Sequence, residues 1–420
     1  MNAHTTKLLT EAETSLIEVA KALPQSQERV AAQEALAANG LPTRRVEAFH
    51  YTDLRALLKG EYALAERPSE EDALAIGNRF PRLVSDAAVL HFRSGHYFDR
   101  GEVLPDGVTV RAELPKAAKV STAAASTVAL NNALVRDGLT VQVAAGAKVD
   151  RTVGIAHAHS AGENTVGATR CAIEVGAGAE CSLVDRSVGP DRVSYLSSQI
   201  VSLDIAVGST VNYTLSNEEG DAAKRLARLA VTLGKDATLN LFILNVGGVL
   251  VRQEIDFDVT GEGATLNISG VNLVGGDAHV DVTSRITHHV PSTNATETFR
   301  NVATGRGQGV FQGQINVRQA AQLTDARMAC NSLLLSDECG FSAKPELEIF
   351  ADDVQCAHGA TVTDLEESYL FYLRARGISE PRARQMLIKA FVAEVVEEME
   401  HTDLIEPLEA RIEAWMDRHV

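Results

Sequence analysis

Three stretches, VQVAAGAKV (Val141 to Val149), IEVGAGAEC (Ile173 to Cys181) and LDIAVGSTV (Leu203 to Val211), fit one pattern of apolar-x-apolar-x-x-Gly-Ala-x-apolar. VTLGKDATL (Val231 to Leu239) fits it with Asp236 at the glycine, and DVTGEGATL (Asp258 to Leu266) fits with its apolar positions slipped by one. INVRQAAQL (Ile315 to Leu323) fits with Ala320 at the pivot. The pivots at 146, 178, 208, 236 and 263 are 32, 30, 28 and 27 residues apart, and the next step, to 320, is 57, about two such steps. A drifting period of this length marks a solenoid. Each unit reads as a strand, a tight Gly or Asp corner able to take positive φ, and a second strand. One coil cannot bury its own apolar face, so neighbours must stack.

Helix signals are scarce between about residues 85 and 350 while β-branched alternation persists, which favours a β-helix over a leucine-rich or helical solenoid. A β-sandwich with regular hairpins is the alternative. Before this region, Thr6 to Leu36 carries apolar residues at helical spacing, and Thr52 to Lys59 is a second amphipathic candidate. Gly40 and Pro42 end the first, and Thr52 with Asp53 could cap the second. RLVSDAAVLHFRSGHYF, with a Ser94-Gly95 turn, reads as a hairpin. After His358 helices return: Asp364 to Gly377 with an Asp cap, a restart at Ser379 with Pro381 in its first turn, and a last helix over about Leu404 to Arg418. The expected architecture is a mostly β chain with an N-terminal helical region (1–80), a β-helix core (81–358) and a C-terminal helical region (359–420).

The composition is globular, with 45% hydrophobic and 23% charged residues. A net charge of -17 argues against nucleic acid or an anionic membrane surface as partner. The N-terminal sequence has acidic residues within its apolar periodicity, unlike a signal or transit peptide, so a cytoplasmic location is expected. The longest apolar stretch, Leu239 to Val251, falls short of the roughly 20 residues a membrane-spanning helix needs. The five cysteines form no CxxC pair, which speaks against a disulfide framework and a closed structural zinc site.

Nucleotide chemistry finds little support. There is no G-x-x-x-x-G-K-[ST] loop, and GRGQG at Gly305 to Gly309 precedes no helical pattern. His288 and His289, being adjacent, would point to opposite strand faces and could not chelate one ion. Glu346, Glu348, Asp352 and Asp353 raise an alternative function, a β-helix carbohydrate-active enzyme using clustered carboxylates, with Glu346, Glu348 and Asp352 on one strand face. In DDVQCAHGATV, Asp352 to Val362, Cys356 and His358 share a face if the strand continues, with Cα atoms roughly 6.6 Å apart. Two ligands are too few for a stable zinc site, so either further groups come from another chain or the pair is a packed thiol and a hydrogen-bonded histidine.

TDARMACNSLLLSDECGFSAKPELEIFADDVQCAHGATVTDLEESYLFYLRARGIS, Thr324 to Ser379, resembles the C-terminal signature of the SufB/SufD family of the SUF iron–sulfur cluster assembly system. GLPTRRVEAFHYTDL, Gly40 to Leu54, resembles the N-terminal motif of the family's SufD branch, with Phe49-His50 in place of its usual Trp-Lys. VLPDGVTV, Val103 to Val110, resembles the segment leading into the family's β region. Where SufB proteins usually carry an E-H-E-A-T type segment, this chain has Cys356 to Thr361, which puts the resemblance on the SufD side.

The resemblance implies a right-handed parallel β-helix between helical regions, acting as a non-enzymatic scaffold. It implies a heterodimer with SufB that binds two copies of the ATPase SufC, which would perform the ATP hydrolysis for which this chain lacks a loop. The SufC contact would lie around Phe371 to Phe391, with Tyr372, Arg374, Arg376 and Gly377 as candidates. It places His358 at a SufB–SufD interface where a nascent cluster forms, with Cys356 as a neighbouring ligand or a packed thiol. No tightly bound cofactor is expected in the isolated chain, only transient iron or an iron–sulfur cluster in the complex. Open solenoid edges also permit a homodimer of the isolated chain.

Overall fold

The corners named by the repeat are left-handed backbone positions. The computed structural model describes residues 8–116, 125–160 and 162–420. In it φ is +71° at Gly146, +69° at Gly178, +66° at Gly208, +52° at Asp236 and +76° at Gly263. This region costs most L-residues roughly 1–2 kcal/mol, but glycine nothing and aspartate less. Each corner N–H points along the stack: Gly146 donates to the Ala177 carbonyl (2.8 Å), Gly178 to Val207 (2.8 Å), Gly208 to Lys235 (2.8 Å) and Asp236 to Glu262 (2.9 Å).

Two corners differ from the sequence expectation. The long gap contains a corner at Ser292 (φ +58°), and the last corner is Leu323 (φ +59°) rather than Ala320. The stack continues through them, with Ser292 donating to Gln322 (2.9 Å) and Leu323 to Asp353 (2.6 Å). In INVRQAAQL the ladder, which aligns Thr238, Thr265, Asn294 and Asp325, puts the buried Thr324 rather than Ala321 where Ala237 and Ala264 stand. The corner itself is longer there, running from Val317 to Leu323 instead of from Val143 to Gly146, and the left-handed residue falls beyond the alanine. The slip in DVTGEGATL has the same origin. Phe257 and Val259 stay in register with Val231 and Leu233, and an added residue lies between Val259 and Gly263.

Alternate strands enter two ten-stranded sheets. Tyr195–Ile205 joins the first and Thr210–Glu218 the second; Gly340–Ile349 and Gln355–Asp364 end the two series. Coil-to-coil pairing is parallel throughout, as between Thr210–Glu218 and Thr238–Asn245, so the architecture is a parallel β-helix and not a sandwich. Among the described residues antiparallel pairing occurs only at the N-terminal end. There the hairpin Ala88–Arg93 and His96–Phe98 turns through Ser94 (φ +49°) and Gly95 (φ +84°), and Val108–Arg111 pairs with Asp137–Val143.

Strict register brings like residues together. Asn240 donates to Asn212 (2.9 Å) and Asn267 to Asn240 (2.9 Å), while inside the packing Asn245 donates to Asn272 and Asn272 to Asn301 (both 2.8 Å). The interior is filled by inward residues such as Leu203, Val211, Leu239, Phe257, Phe299 and Phe311.

Helices cover the outer faces of both sheets. The N-terminal run divides into Glu11–Lys21 and Gln27–Asn39 because Pro24 interrupts it; Thr6 lies outside the described residues. Thr10 and Glu13 form a capping box, Ser26 caps the second helix and Gly40 ends it (φ +61°). With Ala125–Leu134 these helices cover Leu196, Leu226 and Leu250 of the first sheet. The second short helix is only Leu54–Leu57, capped by Asp53. At the other end Glu380–Val396 and Ile405–His419 lay Ile388, Val392, Ile412 and Trp415 on Phe242, Val271, Leu273 and Val302 of the second sheet. Asp364 does not cap a helix. It ends the strand Gln355–Asp364, paired with Leu334, and the helix Glu367–Ala375 starts from Glu366 without a side-chain cap. No helix among the described residues is long and apolar enough to cross a membrane.

The corners can be tested by two glycines with different constraints. A Cβ on Gly208 would meet nothing within 4 Å, so Gly208→Ala should lose about 1 kcal/mol in urea denaturation, from backbone conformation alone. A Cβ on Gly220 would collide with the Pro190 carbonyl, so Gly220→Ala should lose markedly more.

Candidate functional site at the open end of the solenoid

The strand Gln355–Asp364 is the last of its sheet, and its far edge pairs with no strand among the described residues. Gly340–Ile349 ends the first sheet in the same way. Most of the last strand is exposed, and its outer edge presents free backbone groups.

Register fixes where its side chains go, because paired residues in a parallel ladder project to the same side. One column runs Leu266, Ala295, Ala326, Cys356 and another runs Ile268, Glu297, Met328, His358. Leu266, Ala295, Ala326, Ile268 and Met328 belong to the interior core. Cys356 and His358 therefore extend two interior columns on a coil that no further strand among the described residues covers. The sequence expectation that they share a strand face holds in this geometry, and the face is the inward one.

Cys356 is half-buried and packs against the core, while His358 is exposed. Burial pushes the Cys356 thiol up; the Ala326 backbone opposes that and the Asp325 charge adds to it. The other four cysteines are buried, with Cys181 and Cys330 pushed up to about 12 by burial. Cys356 is thus the one cysteine near the surface. No group of three or more His, Cys, Asp or Glu among the described residues could hold a metal ion.

One polar group here was missed in the sequence. Glu297, two coils beneath His358 in the same column, is fully buried, and neither carboxylate oxygen has a hydrogen-bond partner. Burial pushes it up to about 7, with the neighbouring Ser284 hydroxyl acting in the opposite direction. The signal was a glutamate at an inward position between Ala295 and Phe299, legible only once the register is known.

The other candidates are accounted for locally. His288 is buried and bonds Thr293 Oγ1 (2.8 Å), whereas the half-buried His289 meets Asp258 Oδ1 (2.9 Å), so the pair diverges as expected. Glu346 pairs with Lys344 (3.3 Å) and Glu348 accepts from Asn316 (2.5 Å). Asp352 and Asp353 do not continue their strand, which ends at Ile349. They lie in the following corner, where both N–H groups donate to Gln322 (3.3 and 3.0 Å). The expected common face of Glu346, Glu348 and Asp352 is therefore not formed.

The helix Glu367–Ala375 buries none of its residues. Tyr369, Phe371 and Tyr372 are 59%, 74% and 55% exposed. The Arg376 guanidinium lies 4.5 Å over the Tyr372 ring, Arg374 pairs with Glu380 (3.3 Å), and Gly377 (φ +84°) turns the chain into the next helix.

Residues 157–391 match the family model described as SUF system FeS cluster assembly, SufBD core domain, and residues 2–73 match the SufBD protein N-terminal region. The chain belongs to the SufB/SufD family. It is 28% identical to the iron–sulfur cluster assembly protein SufD of Escherichia coli over 408 residues, covering 93% of this chain and 92% of that protein. It is 25% identical to the chloroplastic protein ABCI7 of Arabidopsis thaliana over 402 residues, 91% of this chain and 84% of the relative. To the iron–sulfur cluster assembly protein SufB of Bacillus subtilis it is 25% identical over 272 residues, 64% and 58% of the two chains. The family is thus one of iron–sulfur cluster assembly, and the part matched by its core domain includes both Cys356 and His358.

Two measurements follow from the end coil. Iodoacetamide on the native protein should label one thiol, Cys356, slowly near neutral pH and faster under alkaline conditions, because only the thiolate reacts; peptide mass spectrometry locates it. For Glu297 the folded state favours the protonated carboxyl, so its contribution to stability falls as pH rises from about 4.5 to about 7. Glu297→Gln should therefore exceed the parent in stability above that window by on the order of 3 kcal/mol and by little below it, measured by urea denaturation at both ends.

Proposed function

We propose that this chain is a cytoplasmic, non-enzymatic scaffold subunit of an iron–sulfur cluster assembly complex. Its open solenoid end meets a SufB-type partner, and the nascent cluster forms between them. His358 holds iron or the cluster there against groups of the partner, with Cys356 as its neighbouring ligand or as a packed thiol. The observation that carries this reading is the placement of Cys356 and His358 on interior columns of an uncovered final coil. Two side chains cannot hold a metal on their own, but a second chain closing the coil can supply the missing ligands. Iron and the cluster are cargo here, and the isolated chain keeps neither tightly.

The exposed helix Glu367–Ala375 is the surface for a SufC-type ATPase, with Tyr372, Arg374, Arg376 and Gly377 at its C-terminal side. Its aromatic residues are surplus to the fold, since none of the helix is buried. ATP hydrolysis belongs to that partner.

Co-expression with SufB-type and SufC-type chains tests both surfaces. His358→Ala should leave the mass of the native complex unchanged and reduce reconstituted iron and sulfide loading severalfold; unchanged loading would remove His358 from the mechanism. Phe371→Asp should release the ATPase while the variant keeps its melting temperature, and retained ATPase would exclude the helix.

A further inference from the structure

A pocket of about 470 Å³ lies at the opposite end of the solenoid. Its floor is the outer face of the second sheet, with Val89, Ala156, Val184 and Val188, and Phe80 and Leu83 stand over it. The volume falls in the range of about 300–1,000 Å³ common for small-molecule sites.

Four guanidinium groups line this pocket in a chain of net charge -17: Arg82, Arg93, Arg100 and Arg186. Two are neutralised. Arg82 pairs with Glu102, and Arg186 grips Glu218 with two hydrogen bonds of 2.7 and 2.6 Å. The other two form no ion pair among the described residues. Arg93, 3% exposed, donates to the carbonyls of Ala73 (3.1 Å) and Phe92 (2.9 Å) and meets His91 Nδ1 (3.1 Å). Arg100 has its Nε and Nη2 atoms buried without any partner. His91 adds no further positive charge, since burial and then Arg93, Arg100 and Arg82 hold it neutral, down to about 3.

Burying a guanidinium with unpaired N–H groups is costly unless an anion completes it. The backbone is also shaped around Arg93: a Cβ on Gly77 would come within 2.6 Å of its Nη2, so the helix Glu70–Asn78 carries a glycine where the guanidinium passes. Glycine is unfavourable inside a helix, and here it leaves the room that the guanidinium occupies.

We propose that this pocket binds a small organic anion, a carboxylate or a phosphate ester with an apolar body. Arg100 and Arg93 hold the charged group, Arg100 through the free N–H pair that matches two oxygens of such an anion. The apolar body lies on Val89, Ala156 and Val184.

Isothermal titration of the full-length chain with phenyl phosphate, benzoate and inorganic phosphate tests this. Saturable binding is expected for phenyl phosphate or benzoate, and which of them binds tells the phosphate ester from the carboxylate. Inorganic phosphate should bind at least tenfold more weakly, because it leaves the apolar floor empty. Arg100→Gln should weaken the organic anion at least tenfold with an unchanged melting temperature. Ala156→Leu, which fills the floor without touching a charge, should do likewise and serves if the arginine variant fails to fold. No saturable binding of either organic anion, or full affinity in both variants, would overturn the proposal. Equal binding of inorganic phosphate would overturn its organic part.

Discussion

Gly146, Gly178, Gly208, Asp236, Gly263, Ser292 and Leu323 each give their backbone N–H to a carbonyl of the next coil, and the rest of the structure depends on that bond. It holds successive coils in register, from Gly146 to the Ala177 carbonyl through to Leu323 and the Asp353 carbonyl. Because the residue that donates must be left-handed, corner chemistry is constrained while strand chemistry is free to vary. Register then aligns asparagine with asparagine and apolar with apolar over successive coils. A stack held this way has two ends, and the two ends here differ. At the start, the hairpin at Ser94-Gly95 and the antiparallel strand Val108–Arg111 close the sheets. At the finish, two strands end with unpaired edges. Repeat proteins need caps to stay soluble, so an uncapped end is a surface that expects a cover.

The same register decides what the uncovered end presents. On interior coils, inward positions are filled by Ala326, Met328 and their neighbours; on the last coil those positions are Cys356 and His358. The core already holds Cys171, Cys181 and Cys330, so it is His358 that departs most from what the interior of these coils contains. Glu297 shows how sharply the environment changes over two coils. The same column that leaves His358 exposed encloses this carboxyl so completely that it is pushed up to about 7.

Much of this was legible in the sequence because corner geometry writes itself into residue identity. Gly146, Gly178, Gly208, Asp236 and Gly263 were readable pivots since few residues tolerate their backbone angles. Ser292 and Leu323 were not, because neither residue type marks a left-handed position in a sequence. That Cys356 and His358 share a face follows from their spacing alone, but whether the face is inward follows from the whole ladder beneath them. Pairing of distant coils is likewise why Glu297 escaped notice. In the C-terminal region the restart at Ser379 and the last helix were legible, but not which residues of the helix after Ser379, among them Ile388 and Val392, meet the sheet. The helix start at Asp364 was misplaced, because pairing with Leu334 extends the strand through a residue whose local preference is to cap.

Buried arginines divide by what answers their charge. Arg252, 1% exposed, is met by Asp281 (2.5 Å) and Glu254 (3.2 Å), donates to the Ala48 carbonyl (2.8 Å) and lies 4.5 Å over the Phe49 ring. It thereby fastens the N-terminal motif to the first sheet, and Phe49 does this in a position where the family usually has tryptophan. Arg300 pairs with Glu394 (2.6 Å) and so joins the helix Glu380–Val396 to the second sheet. Arg411 meets Glu218 (2.9 Å), the same carboxylate that Arg186 grips. In each case a carboxylate of this chain satisfies the cation, and the pair locates one layer on another. Leaving a buried cation unpaired is far more costly than replacing a pair by apolar residues. Folding alone therefore explains Arg252, Arg300 and Arg186, whereas no carboxylate among the described residues pairs with Arg93, held by the Ala73 and Phe92 carbonyls, or with Arg100.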